Sequence, residues 1–332
     1  MSTYVQMQVN PEQASPVIEA VGLRKRFGKV TAVDGLDFSV PAGSVLGLLG
    51  PNGAGKTTTV KLLTTLLPID AGRASVAGHD VDSELAAVRA SIGLAGQSAA
   101  VDDKLTVRQN LDFFGRLYHL PRPRRNERVT ELIERFGMDA YADRLAETLS
   151  GGERRRLDLV VALIAEPPAV FLDEPTTGLD PRGRAAIWDE IRAIRDAGTA
   201  VVLTTQYLEE ADQLADRIII IDHGAVVAEG TSRELKARLG RDVLEITIAE
   251  PRQLSAARSA MDPAHVVATD ERTLHASVAD TEESLAILRR LDRAGVVLAD
   301  FQLRRPTLDD VFIEITGRPA GTEAGEPEEA AA

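Results

Sequence analysis

The chain has 332 residues, enough for two domains or for one large domain with an appendix. It holds no cysteine, which excludes disulfides, thiolate metal sites and a cysteine nucleophile. Its net charge of −13 argues against general nucleic-acid binding, which favours basic chains, so no nucleic-acid partner is expected.

Residues 1–16 lack a basic start followed by an apolar run, so they read as a flexible lead rather than a secretory signal. No stretch reaches the ~20 apolar residues needed to cross a bilayer. The chain is therefore expected to be soluble or peripheral, with any membrane crossing left to another polypeptide. VIEAVGLRKRF, LDFSVPAG and SVLGLLG, within 17–49, predict short strands punctuated by Gly and Pro. A glycine-rich turn follows, then KTTTVKLLTTLL, which predicts a helix running to Pro68. Residues 100–148 change to helical periodicity in NLDFFGRLYHL, ERVTELIERFGM and YADRLAETL. Strands return at 169–175, 199–205 and 217–222; the first two follow helical stretches, as in a parallel α/β sheet. The helical block, about 98–148, thus interrupts an α/β domain spanning 17–238. The basic runs RPRR at 122–125 and RRR at 154–156 read as solvated helix faces. Past Gly240 the order becomes β-α-β-β-α-β, a ferredoxin-like pattern, closed by a short helix, TLDDVFIEITG. It marks an accessory domain over 239–317, before an acidic tail, 318–332, that lacks large apolar residues and is expected to be disordered.

Two motifs carry chemistry. GPNGAGKT matches the phosphate-binding pattern G-x-x-x-x-G-K-[ST] between a predicted strand and a predicted helix. Gly50, Pro51, Asn52, Gly53, Ala54, Gly55, Lys56, Thr57 and Thr58 are therefore candidates to cradle a nucleotide. The glycines let backbone N–H groups turn toward phosphate oxygens, and Lys56 places a cation between the β- and γ-phosphates. The Thr57 hydroxyl suits Mg²⁺. In AVFLDEP an apolar strand ends on two acids: Asp173 to complete a magnesium site, Glu174 to accept a proton from an attacking water. The alternative, two solvated acids at a strand end, requires an accidental pairing with the upstream motif.

Further motifs resemble the ATP-binding subunits of ABC transporters, in family order from about residue 17 to 238. LSGGE at 149–153 resembles the ABC signature, and GLD at 178–180 the D-loop, with Asp180 as its acid. Gln97 lies where the family has its Q-loop, and Phe27 where an aromatic stacks on adenine. The resemblance implies a P-loop ABC ATPase fold: an α/β, RecA-like core with a helical insert and, here, a ferredoxin-like appendix. It also implies that Gln97 contacts magnesium and the catalytic site. Ser150, Gly151 and Gly152 precede a helix, where a hydroxyl and bare glycines form an anion site. In the family that site completes the pocket of the opposite subunit, implying a head-to-tail pair of copies with two ATPs between them.

LTTQYLEEADQLADRI, the appendix and the ending LRRPTLDDVFIEITGR look like the daunorubicin/doxorubicin resistance ATPases. That resemblance implies a peripheral ATPase at the cytoplasmic face of the cell membrane. It would be paired with a multi-spanning permease that exports hydrophobic drugs such as anthracyclines. Export of a lipid or another amphiphile is the alternative, and a soluble ABC switch without a permease a more distant one. Phe113, Phe114, Leu117 and Tyr118 are either a dock for the permease or core of the insert. The appendix reads as dimer support or a regulatory ligand site. Most ABC ATPases carry histidine where this chain has Gln206. An amide can donate to a phosphate oxygen but cannot become a cation, so Gln206 either senses the γ-phosphate without charge assistance or merely caps its strand. Glu153 replaces the usual Gln of the signature, where an acid suits the helix dipole.

Overall fold

The computed structural model describes residues 15–96, 100–261, 266–268 and 272–316. The expectations for Gln97, for most of the lead and for the acidic tail lie outside the described residues. No helix among the described residues is long and apolar enough to cross a membrane.

The central sheet is built on β3 (Val45–Leu49), β7 (Ala169–Asp173) and β8 (Ala200–Thr205), every residue of which is buried. With β6 (Ile92–Ala95) and β9 (Arg217–Asp222) they form a parallel set in the order β9-β3-β8-β7-β6. An antiparallel β10 (Ala225–Gly230) extends it on the β9 side. Such strands read as continuous apolar runs because both faces are covered. Alternation then sends side chains to different cores. Val170, Leu172, Val201 and Leu203 face one core, together with α3 (Val107–Leu117), α4 (Arg122–Arg135), α5 (Gly151–Val161) and α6 (Pro181–Asp196). Ala169, Phe171, Ala200 and Val202 face a second core, made with α1 (Lys56–Leu63) and an antiparallel sheet. That sheet is β1 (Ile18–Phe27), β2 (Val30–Val40), β4 (Ala71–Val76) and β5 (His79–Asp80) in the order β2-β1-β4-β5.

The third sheet has the order β12-β13-β11-β14, all pairs antiparallel: β11 (Asp242–Ile248), β12 (Val266–Ala268), β13 (Thr273–Val278), β14 (Leu298–Arg304). With α9 (Leu254–Ala260) after β11 and α10 (Thr281–Arg293) after β13, this is the expected β-α-β-β-α-β arrangement. Its core is Leu244, Ile246, Leu274, Ala276, Ala257 and Leu291. The last helix, α11 (Leu308–Thr316), leaves this sheet. Its Leu308, Val311 and Phe312 join Ile218 and Ile220 of β9, with α7 (Leu208–Leu214) and α8 (Ser232–Leu239) around them.

Three expectations need correction. The helix after the glycine-rich turn ends at Leu63, short of Pro68, because Thr65 turns left-handed at φ 61° and Lys61 O accepts from Leu66 N at 2.8 Å. YADRLAETL is not a helix but two 3₁₀ turns, Asp139–Tyr141 and Ala146–Thr148. Its backbone pairs with the segment before α3 instead: Ala146 N donates to Leu105 O at 3.0 Å, and Arg144 O accepts from Val107 N at 3.2 Å. The run RRR is not a solvated face, as the site shows.

Candidate active site

Loop 50–55 connects β3 to α1. A Cβ on Gly50 would lie 2.2 Å from Ile221 O, and one on Gly55 2.2 Å from Ala32 O, so side chains are barred at both positions. Gly55 also takes φ 108° where it caps α1, a backbone that favours glycine. The first turn of α1 therefore presents free N–H groups to a cavity of about 180 Å³ lined by Asn52, Gly53, Lys56, Thr57, Thr58 and Glu174. Lys56 is buried; its Nζ donates to Gly50 O at 2.8 Å and Pro51 O at 3.1 Å, and lies 3.9 Å from Glu174 Oε1. Burial pulls the ammonium below its ordinary pKa, against the opposing charges of Glu174 and Asp173.

Strand β7 delivers the acids. Thr57 Oγ1 donates to Asp173 Oδ1 at 3.1 Å, and Thr204 Oγ1 donates to the same oxygen at 2.5 Å. Glu174 stands just past the strand with φ 50°, the left-handed region that non-glycine residues seldom use. Its N–H donates to Thr204 O and to Thr204 Oγ1, both at 3.1 Å, and its Oε2 accepts from Thr177 Oγ1 at 3.3 Å. Lys56, Thr57, Asp173 and Glu174, read from separate motifs, thus meet at one edge of the sheet. That edge is the carboxyl end of the parallel strands, where open α/β sheets bind ligands.

Glu174 also lines a second cavity, of about 450 Å³, bounded by Gly151, Arg154, Arg155, Asp158, Thr177 and Gly178. Ser150 caps α5 there: its Oγ accepts from Glu153 N at 3.3 Å, while Glu153 Oε2 accepts from Ser150 N at 2.7 Å. This reciprocal capping box explains the acid in LSGGE. The Glu153 carboxyl is held below its usual range, chiefly by the Ser150 N–H. Asp180 plays the same part at the head of α6, accepting from Gly183 N at 2.8 Å. Phe27, 48% exposed, lies at the tip of the β1–β2 hairpin with Lys25 Nζ 5.7 Å from its ring centre. Gln206 follows β8 directly. The strand end is capped not by Gln206 but by Thr205, whose Oγ1 accepts from Tyr207 N at 2.9 Å.

Sequence reasoning passed over Thr204, Thr177 and Arg155. The hydroxyls carry no motif, and Arg155 was hidden in a run of like charges. Each arginine of that run has its own partner. Arg154 pairs with Asp103 at 2.5 Å, and Arg156 meets Glu190 and Tyr141. Arg155, its side chain 14% exposed, pairs with the buried Asp158. Burial lowers the Arg155 pKa and raises that of Asp158, the mutual ion pair opposing both shifts.

Comparison with known proteins adds to this geometry. Residues 33–177 match the ABC transporter family, and residues 230–316 match the C-terminal domain of DrrA1-3-like ATP-binding proteins. The chain is 54% identical to the daunorubicin resistance ATP-binding protein DrrA3 of Streptomyces coeruleorubidus, over 92% of this chain and 97% of that protein. It is 38% identical to the Nod factor export ATP-binding protein I of Ralstonia nicotianae, over 92% of this chain and 95% of that one. A solved ATP-binding cassette of an ABC transporter in its ADP conformation superposes with a TM-score of 0.60 at 25% identity, covering 67% of this chain and 93% of that one.

Proposed function

This chain belongs to the ATP-binding subunits of ABC transporters and carries a DrrA-like C-terminal domain; from that premise we propose that it powers export of a hydrophobic drug, such as an anthracycline, through a separate permease. The chain is an ATPase. The observation that carries the hydrolytic half of this reading is the place of Glu174, which lines both the cradle at Lys56 and the cavity below the signature at Gly151; the drug cargo is supported by the 54% identity to a daunorubicin resistance protein. One carboxylate thereby serves ATP held in cis beside the turn that would close on the partner subunit's ATP.

In this reading the backbone N–H groups of 53–58 and the Lys56 ammonium hold the phosphates. Thr57 and Asp173, in contact at 3.1 Å, supply hard oxygen donors suited to Mg²⁺. Bound there, the ion would offset phosphate charge. Water attacks the γ-phosphorus, the bond to the β,γ-bridging oxygen breaks, and the water's proton passes to the Glu174 carboxylate. Gln206 donates a neutral hydrogen bond to a γ-phosphate oxygen, and Phe27 stacks on the base. Ser150, Gly151 and Gly152 of a second copy, arranged head to tail, close the pocket, with Asp180 at the junction. Gln97 would contact the magnesium and the attacking water, and the whole would work at the cytoplasmic face of the cell membrane.

The insert supports a permease dock. On α3 and at its C-cap, Phe114 and Tyr118 pack on the core, while Phe113 and Leu117 are 43% and 56% exposed. Residues four apart share a helix face, so the pairs separate into an inward stripe and an outward one. The outward pair is the proposed contact. We assign the ATPase unit to 17–238 and the accessory unit to 239–317.

The test uses inside-out vesicles holding this chain and the multi-spanning protein from the neighbouring reading frame. Daunorubicin accumulation should require MgATP and vanish with Glu174→Gln, whose turnover should fall about 100-fold or more while ATP binding survives. Full turnover in Glu174→Gln would remove Glu174 from its role. Transport of an amphiphile with no drug uptake would favour the alternative cargo, a reading supported by the 38% identity to a Nod factor export protein.

A further inference from the structure

One guanidinium holds the end of β7. Arg155 Nε donates to Pro175 O at 2.7 Å, and its Nη2 donates to Asp173 O at 3.2 Å and Glu174 O at 3.0 Å. Its Nη1 donates to Gly96 O at 2.7 Å and to Asp158 Oδ2 at 3.3 Å. All five N–H donors of the side chain are thereby used, three of the bonds falling on consecutive backbone carbonyls. Glu174 is fixed on both sides: its N–H by Thr204 and its C=O by Arg155. A left-handed residue that is not glycine persists only where its surroundings determine it in this way. The other end of the lever is the signature. Arg155 stands five residues beyond Ser150, about 7.5 Å along a rigid helix. Gly151, Arg155 and Glu174 line the same cavity.

We propose that Arg155 is a positioning residue that couples the two nucleotide sites of a dimer. It ties the backbone of Glu174, which serves ATP bound in cis, to the helix whose first turn meets ATP bound by the partner. The inference rests on the composite-site reading given above. ATP seated on Ser150–Gly152 would shift the start of α5; Arg155, already bonded to carbonyls 173–175, would pass that shift to the backbone that aims the Glu174 carboxylate. Each site then biases one shared element, which is the physical requirement for coupling. Lysine could not replace it, because an ammonium is a point charge and cannot span three carbonyls in a plane.

The experiment compares wild type, Arg155→Gln and Arg155→Lys in the full chain. It uses amide hydrogen exchange without nucleotide, equilibrium binding of a fluorescent ATP analogue, and turnover against ATP concentration. With Arg155→Gln, exchange over 173–177 should rise at least about tenfold while single-site nucleotide affinity holds. The maximal rate should fall at least about tenfold, and the Hill coefficient from about 2 toward about 1. Arg155→Lys should fall between, and it carries the test should the glutamine variant not fold. Unchanged exchange, or slower turnover with the wild-type Hill coefficient kept, overturns the proposal, as does a wild-type coefficient of about 1. Wild-type turnover no faster than that of Glu174→Gln would instead sink the function assigned above, and the exchange measurement would still judge the clamp.

Discussion

At position 206 an amide stands where a cation would otherwise assist, and its surroundings narrow what it does. Thr204 spends its hydroxyl on Asp173 and Thr205 spends its own on Tyr207, so the strand end is stabilised without Gln206. In the proposed reading the amide reaches a phosphate. A neutral hydrogen bond is about half as strong as a charge-assisted one, yet still worth about 1 kcal/mol. On the proposed γ-phosphate role, Gln206→Ala should lower the maximal rate about five- to tenfold with little change in ATP affinity, since a bond to the transferring phosphoryl group acts mainly in the transition state. Gln206→His should restore or exceed the wild-type rate below pH 6.5, about where an ordinary imidazole charges. An alanine variant with unaltered turnover would leave Glu174 alone responsible for the chemistry.

Helix pairing carries the next layer, between α5 and α6. Arg156 reaches one oxygen of Glu190, while Glu190 Oε2 is buried with no hydrogen-bond partner among the described residues. Burial raises this carboxyl from 4.5 to about 7, in spite of the arginine. The folded chain thus holds a proton there that the unfolded chain releases at lower pH, so the stabilisation present below 4.5 is lost as pH rises to about 7. The melting temperature of the wild type minus that of Glu190→Gln should fall across that window, measured by calorimetry at fixed ionic strength; a flat difference would show that Arg156 keeps Glu190 charged throughout. Legibility in the sequence follows the same physics of burial. β3, β7 and β8 were readable because both faces are covered, leaving unbroken apolar runs, and the phosphate loop because its glycines are sterically compelled. β4 and β10, each with exposed residues, and the four-residue β6 give no such run and carry no strand signal of their own. YADRLAETL has helical periodicity, but its backbone donors and acceptors find partners across the chain at 105–108, and tertiary pairing outweighs a weak local propensity. Arg155 was invisible for a related reason: its function lies in carbonyls contributed by residues 96 and 173–175, which no local pattern announces.

Across the whole molecule, α11 joins the third sheet to the ATPase core. One side of it belongs to the core, where Leu308, Val311 and Phe312 pack against Ile218 and Ile220. The other belongs to the third sheet: Asp310 takes a two-pronged bond from Arg304 of β14, at 2.6 and 3.0 Å, and lies 3.3 Å from His275 Nδ1 of β13. Burial alone would raise the Asp310 carboxyl; the neighbouring His275 ring and the bonds from Arg304 and Thr307 outweigh it and hold the group well below its ordinary 3.8. Its contribution is therefore complete above pH 3.8 and lost as pH falls below that value. Two variants separate the two sides of the helix. Phe312→Ala opens a cavity in the ATPase core and should cost about 3–5 kcal/mol there. Asp310→Asn keeps that packing but breaks the charged fork, so it should loosen the third sheet at neutral pH and abolish the acid-dependent loss. Exchange along β9 and along β13 reports the two losses independently: Phe312→Ala should deprotect β9 first, Asp310→Asn β13 first. Were α11 only resting on the core, Phe312→Ala would leave β9 as protected as in the wild type, and the accessory unit would be free to move without consequence for the catalytic edge of the sheet.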